Sequence, residues 1–328
     1  MMQEFGGYLP LELTSKKDRF HDCEMDKAFL NCGRSAIYYA LLDSSPSLVY
    51  IPHYNCDTVK IPIEMLGIPY IYYYLDNSFK PINVNLQENE YILWVNYFGM
   101  ADRETIDSIY AGYKNLYIDN TQAFFEEPRP DAYHIYSARK FIGVSDGAYL
   151  IKDRFKKPEH WRHLPEIGYS SENMRHLLES IEYGVNMAYH IHLRNEKYIF
   201  SKQLSMSILT KKILSSVDYG EIKTKRYANF KYLHDRFKNM NMFGIKYLSD
   251  TAIAYPLLLY DDSARNKLVD DKIYVPQWWK HVLDETTPDK IEYVISKYLL
   301  PLPIDQRYDL HDMETMCGRI FTLFNICQ

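Results

Sequence analysis

The chain has 328 residues, is 47% hydrophobic and carries a formal net charge of −5. That length suits a large core and about two domains, and a mildly acidic chain lacks the strongly basic face of a general nucleic-acid binder. The five cysteines (Cys23, Cys32, Cys56, Cys317 and Cys327) are odd in number and form no C-x-x-C pair, which argues against a disulfide framework or a zinc site.

No apolar run is long enough to span a bilayer. The first residues, Met1 to Gly7, lack a basic stretch followed by an apolar one, so a reducing cytoplasm is the expected location. Lys211-Lys212 and Lys223 to Arg226 read as solvated helix faces. The 31 tyrosines suit half-buried surfaces, either at subunit contacts or at a core boundary.

In chain order, Asn31-Cys32-Gly33-Arg34-Ser35-Ala36 leads into a helix through Leu42. Glycine at a helix start lets backbone N–H groups approach a phosphate, although the same pattern also serves as a plain cap. A strand is predicted over 48–52, a helix over 58–65 stopped by Gly67, and strands over 70–75 and 91–97. A helix follows over 102–110, then strands over 116–119, 132–136 and 148–151. Short strands alternating with helices predict a mainly parallel α/β sheet with helices on both faces.

After Pro165 the pattern changes. Residues 171–216 read as helix, interrupted near Ser205-Met206-Ser207, and 226–239 as another. Strands are predicted over 253–260 and 273–275, with helices over 263–270, 289–297 and 310–324. Pro256 inside the first of these strands points to an edge position. The division is a large domain, 1–215, and a small C-terminal α+β domain, 216–328.

Asp119 closes the apolar strand at 116–119, at the carboxyl end where open α/β sheets place ligands. Gln122 lies three residues on. Lys140 sits in Tyr136-Ser137-Ala138-Arg139-Lys140-Phe141, ahead of the turn Gly143-Val144-Ser145-Asp146-Gly147. Ser137 precedes the lysine by three residues, on nearly the same side of a helical turn. An acid for a pyridinium nitrogen, a hydroxyl for a phosphate and a lysine for a Schiff base are what a pyridoxal 5'-phosphate (PLP) enzyme needs.

Taken together, these motifs resemble the DegT/StrS sugar aminotransferase family of fold-type I PLP enzymes. Gly6-Gly7-Tyr8-Leu9-Pro10 is similar to its opening, Gly33-Arg34-Ser35-Ala36 to its phosphate-binding helix start, and Val95-Asn96-Tyr97-Phe98-Gly99 to its Val-His-x-Tyr-Gly strand end. Asp119-Asn120-Thr121-Gln122-Ala123 and Ser137 through Gly147 resemble its acid and lysine segments. Met206 to Thr210, Arg226 to Phe230 and Leu302 to Tyr308 resemble later ones.

The resemblance implies roles. Lys140 would hold the cofactor and move a proton, Asp119 would pair with the ring nitrogen, and Gln122 with the phenolate oxygen. Main-chain N–H groups at Gly33, Arg34 and Ser35, with Ser137, would hold the phosphate. Asn229 would reach a neighbouring subunit's phosphate. Cys56 stands where members stack an aromatic ring, with His53 and Tyr54 as substitutes, Asn96 replaces a histidine, and Ile135 stands where many members place the phosphate serine. The implied reaction moves an amino group, with glutamate as donor, to a small keto substrate such as a nucleotide-linked keto-sugar, in a homodimer. A dehydratase-like or non-catalytic protein of the same fold is the alternative; Lys140 argues against the first, since dehydratase members tend to replace it. His190 and His192 point to different faces, so no metal pair is expected. Trp278 could pack the small domain or touch substrate.

Overall fold

In the computed structural model, which describes residues 11–165, 170–199, 202–246 and 248–325, the apolar runs of the first half build one seven-stranded sheet. Its strands are β1 (Asp26–Leu30), β2 (Leu48–Pro52), β3 (Tyr70–Tyr73), β4 (Glu90–Val95), β5 (Leu116–Asp119), β6 (Ala132–Ser137) and β7 (Ala148–Lys152), in the order β1-β7-β6-β5-β4-β2-β3. From β3 to β6 the neighbours are parallel, while β7 is antiparallel to both β6 and β1. Strands β5 and β6 are buried along their whole length. Burial on both faces is why they read as continuous apolar runs rather than alternating ones.

Register sets the level of the site. Val95 lies opposite Asp119, and Asp119 opposite Ile135. Asp119 therefore ends its strand at the carboxyl edge of the sheet, and Ser137, two residues past Ile135, emerges at that same edge.

Helices α1 (Gly33–Ser44), α2 (Lys60–Met65), α3 (Arg103–Gly112) and α4 (Glu159–Arg162) accompany the sheet. Asp102 caps α3 by accepting the Thr105 N–H at 2.7 Å. The helix predicted over 171–216 is divided into α5 (Ser170–Asn173), α6 (Arg175–Tyr183), α7 (Val185–Ile199) and α8 (Ile208–Leu214). Gly184, at φ 84°, turns α6 back on α7 as a helical hairpin. Ser207 caps α8, and the buried Asp146 carboxylate accepts from Ser207 N, Ser207 Oγ and Thr210 Oγ1, tying the turn before β7 to that helix.

The second half holds α9 (Tyr219–Phe237), β8 (Tyr255–Leu258), α10 (Ala264–Asp270), α11 (Val282–Glu285), α12 (Ile291–Tyr298), β9 (Leu299–Leu302) and α13 (Leu310–Leu323). Strands β8 and β9 form a separate antiparallel pair in which Pro256 faces Pro301. Phe230, Leu233, Phe237, Leu257, Leu300 and Ile320 make its core. The strand predicted over 273–275 is not formed. Ile273 and Val275 are buried, but in irregular backbone after a turn at Lys272 (φ 58°), so their apolar character reflects burial without pairing. The expected boundary at 215/216 falls in the turn between α8 and α9. The motif Gly6 to Pro10 and Cys327 lie outside the described residues. Among the described residues no helix is long and apolar enough to cross a membrane, and no cluster of metal-ligating side chains occurs.

Candidate active site

The site forms where α1 begins against the loop that follows β5. No hydrogen bond from the side chain of Cys32, the residue before α1, caps this helix. Ser35 turns its hydroxyl back to Asn31 Oδ1 at 2.6 Å instead. A Cβ built on Gly33 would stand 3.4 Å from Thr121 Cγ2, so a larger residue there would close the gap between helix and loop. Gly147 N donates to Asn31 O at 2.7 Å, which brings the far end of the lysine loop to the same helix start.

Lys140 ends a single 3₁₀ turn (Ala138–Lys140) directly after β6. Its Nζ donates to Thr121 Oγ1 at 2.9 Å. The lysine side chain keeps an exposed surface. Burial pushes its ammonium below the ordinary lysine range, with Arg139 adding to the effect; Asp119 and then Cys56 pull it back up. A lowered lysine holds more neutral amine at a given pH, which is the nucleophilic form. Arg139 itself is engaged by Glu196 of α7 in a short ion pair.

Asp119 is 6% exposed, and its Oδ1 accepts the Thr121 N–H at 2.8 Å, a local turn that fixes the carboxylate and presents Thr121 to the lysine. Gln122 Oε1 accepts the Phe98 N–H at 2.8 Å. A backbone donor can only meet the amide oxygen, so the Gln122 NH₂ is the outward group, and it has no hydrogen-bond partner among the described residues. The Ser137 hydroxyl likewise has none. The sequence motif at Asn96 also forms part of this wall: Asn96 Nδ2 donates to Asn120 Oδ1 at 3.3 Å, and Phe98 adopts φ 60° before Gly99.

The structure thus brings together Lys140, Asp119, Cys56 and the start of α1, with Gln122 on the Asp119 loop and Ser137 at the base of the lysine turn. It does not supply the expected aromatic ring. Tyr54 is fully buried in the core, its ring 4.4 Å from that of Trp279, and His53 is sandwiched 4.7 Å from Tyr72 and 4.4 Å from Tyr74. Cys56 alone of the three stands near Lys140, with Sγ 3.0 Å from Thr58 Oγ1.

Asn229 is engaged within its own chain. Its amide nitrogen faces the carbonyls of Ile304, Asp305 and Tyr308 at 3.2, 3.4 and 3.0 Å. These bonds brace the segment before α13. Trp278 stacks on Phe98 at 5.6 Å and packs the interior. Thr121, which sequence reading quoted only as part of a motif, proves to be the residue that touches the lysine amine. Its position two residues after the strand-end acid is the signal that could have found it.

Compared by sequence, the chain matches no family model and no curated protein. Compared by structure, it is similar to PseC of Helicobacter pylori, an aminotransferase involved in the biosynthesis of pseudoaminic acid, at TM-score 0.63 and 12% identity over 96% of this chain and 93% of that one. A DegT/DnrJ/EryC1/StrS aminotransferase of Brucella abortus matches at TM-score 0.59 and 13% identity, over 92% and 87%. NtdA of Bacillus subtilis, solved with its cofactor PMP bound, matches at TM-score 0.57 and 13% identity, over 91% and 73%. The chain therefore has the fold of these proteins, built on a mostly parallel seven-stranded sheet. At such identities the likeness is one of fold.

Proposed function

We propose that the protein is a PLP-dependent aminotransferase of the DegT/StrS type, acting as a homodimer, with glutamate as amino donor and a nucleotide-linked keto-sugar as acceptor. One observation carries the reading: Lys140 Nζ is held at 2.9 Å by Thr121, on the loop of a buried strand-end acid and against the uncapped start of α1. Solved aminotransferases that share the fold support it.

PLP bound here would supply an electron sink for the donor's α-carbon. The start of α1 and Ser137 would hold the phosphate. Asp119, fixed by its bond to Thr121 N, would keep a proton at the ring nitrogen. The outward NH₂ of Gln122 would donate to the phenolate oxygen. With PLP bound, Lys140 would carry a proton between the donor's α-carbon and the cofactor carbon that bears the transferred nitrogen. Cys56 leaves one face of the ring without an aromatic cover, a polarizable sulfur in its place.

Borohydride reduction of the PLP-loaded protein followed by peptide mapping tests the assignment. The expected pyridoxyl adduct is on Lys140; an adduct elsewhere, or a protein that stays colourless with PLP, defeats it. Glutamate alone should convert the bound cofactor to its amino form with release of 2-oxoglutarate, and Lys140→Ala should abolish that conversion while keeping the wild-type melting temperature. No conversion by unreduced, PLP-loaded protein whose adduct maps to Lys140 in a parallel sample would favour the non-transaminating alternative.

A further inference from the structure

Arg226, on α9, is 3% exposed and forms no ion pair among the described residues. The nearby Asp305 carboxylate is engaged by Arg307 at 2.7 and 2.9 Å. A buried cation without a carboxylate is a costly way to fill a core. What a guanidinium provides there is a rigid planar fork.

The fork reaches three segments. Nη2 donates to Ala252 O at 3.2 Å and Ile253 O at 2.7 Å, and Nη1 to Gln306 Oε1 at 3.2 Å. The guanidinium carbon lies 4.7 Å from the centre of the Phe141 ring. With its oxygen facing Arg226, Gln306 turns its NH₂ to Phe141 O at 2.7 Å. Phe141 follows Lys140 directly. On the other branch, Ile253 N donates to Phe98 O at 2.9 Å, and Phe98 N is the group that orients Gln122. Thr251 Oγ1 and Ser249 Oγ both donate to Gly99 O.

We propose that Arg226 and Gln306 are positioning residues: a single guanidinium joins the Lys140 turn, through Gln306 and Phe141, to the Gln122 turn, through Ile253 and Phe98, and so sets the placement of the lysine amine relative to Gln122. The proposal rests on the reading of Lys140 as the cofactor lysine. Neither residue touches the reacting atoms. Both act from the second half of the chain on loops of the first.

Gln306→Glu separates positioning from mere packing. It keeps the shape and gives Arg226 a carboxylate, so the melting temperature is expected to hold or rise. A carboxylate cannot donate to Phe141 O, so the lysine turn loses its tether. In the protein without cofactor, the pH midpoint for trinitrobenzenesulfonate modification of Lys140, read by peptide mass, should move from its wild-type position, while midpoints of surface lysines stay put. In the PLP-loaded protein the glutamate half-reaction should slow on the order of tenfold to a hundredfold. Arg226→Lys, which keeps the charge but loses the fork, should move the same midpoint.

An unchanged Lys140 midpoint and half-reaction in a stably folded Gln306→Glu protein would overturn the proposal. If that variant melts early, Gln306→Met decides by the same midpoint. Because the modification needs no cofactor, a chain that never takes up PLP fails the functional reading yet still reports whether Gln306 controls the amine.

Discussion

Gly99 shows how tightly single residues are constrained around the cleft. At φ 68°, a Cβ on it would collide with the carbonyl oxygens of Thr251 and Gln122. Neither oxygen can swing aside without moving backbone. Gly67, at φ 65°, has nothing within 4 Å of the same added atom. Gly99→Ala should therefore cost about 2–5 kcal/mol, strain plus overpacking, against about 1 kcal/mol for Gly67→Ala. Urea unfolding of the two variants measures the difference, and equal losses would show that the backbone around Gly99 yields. The candidate site residues were legible because their spacing is local: Asp119, Gln122, Ser137 and Lys140 fall within one stretch. Arg226 and Gln306 were visible as motif members, but their bond joins positions far apart in the chain, and no periodicity encodes that. The bonds of Asn229 to three carbonyls on a distant segment were hidden for the same reason.

Strand β6 carries a titratable group behind the site as well as the serine at its tip. His134 is 2% exposed, its Nε2 2.9 Å from Tyr110 Oη and its Nδ1 3.2 Å from Asn120 Nδ2, next to Asp119. Burial pushes the imidazole down to about 4, against 6.5 when unfolded; the Arg129 carbonyl pulls weakly the other way. Between those values the unfolded chain binds the extra proton, so acid favours unfolding. Stability should fall by roughly 3 kcal/mol as pH drops from about 6.5 to about 4. Unfolding free energies measured across that window should show the slope, and His134→Gln should flatten it; an identical slope in the variant would place the effect in other groups. Strands of this kind, apolar and uninterrupted, were predicted nearly to the residue. The helical stretch was not, because one glycine inside an apolar-periodic run reads as tolerated rather than as a reversal. β1 was missed since Asp26 and Lys27 give its five residues little apolar signature.

The whole molecule leaves an unusual surface on the α6–α7 hairpin. Leu178, Ile181, Met187 and Leu193 all stand exposed, Ile181 at 84%. Contiguous apolar side chains of that size mark contact surfaces, and the proposed homodimer gives them a partner. Sedimentation velocity at micromolar concentration should find a species of two chains, and Ile181→Glu with Met187→Glu should shift it to one. A wild-type protein of single-chain mass would remove the dimer from the proposal. The mainly parallel sheet was foreseeable from the alternation of strand and helix, whereas the hairpin's reversal was not. At the opposite end of the chain, the facing prolines of β8 and β9 have their own consequence. Residues that lack an N–H cannot form a mutually bonded rung, so Pro256 and Pro301 must occupy a non-bonded rung, with their missing donors turned to the outer rims. A further strand added beside either proline would therefore miss one donor, and on the β8 side Asn241 Nδ2 already occupies Pro256 O at 2.8 Å.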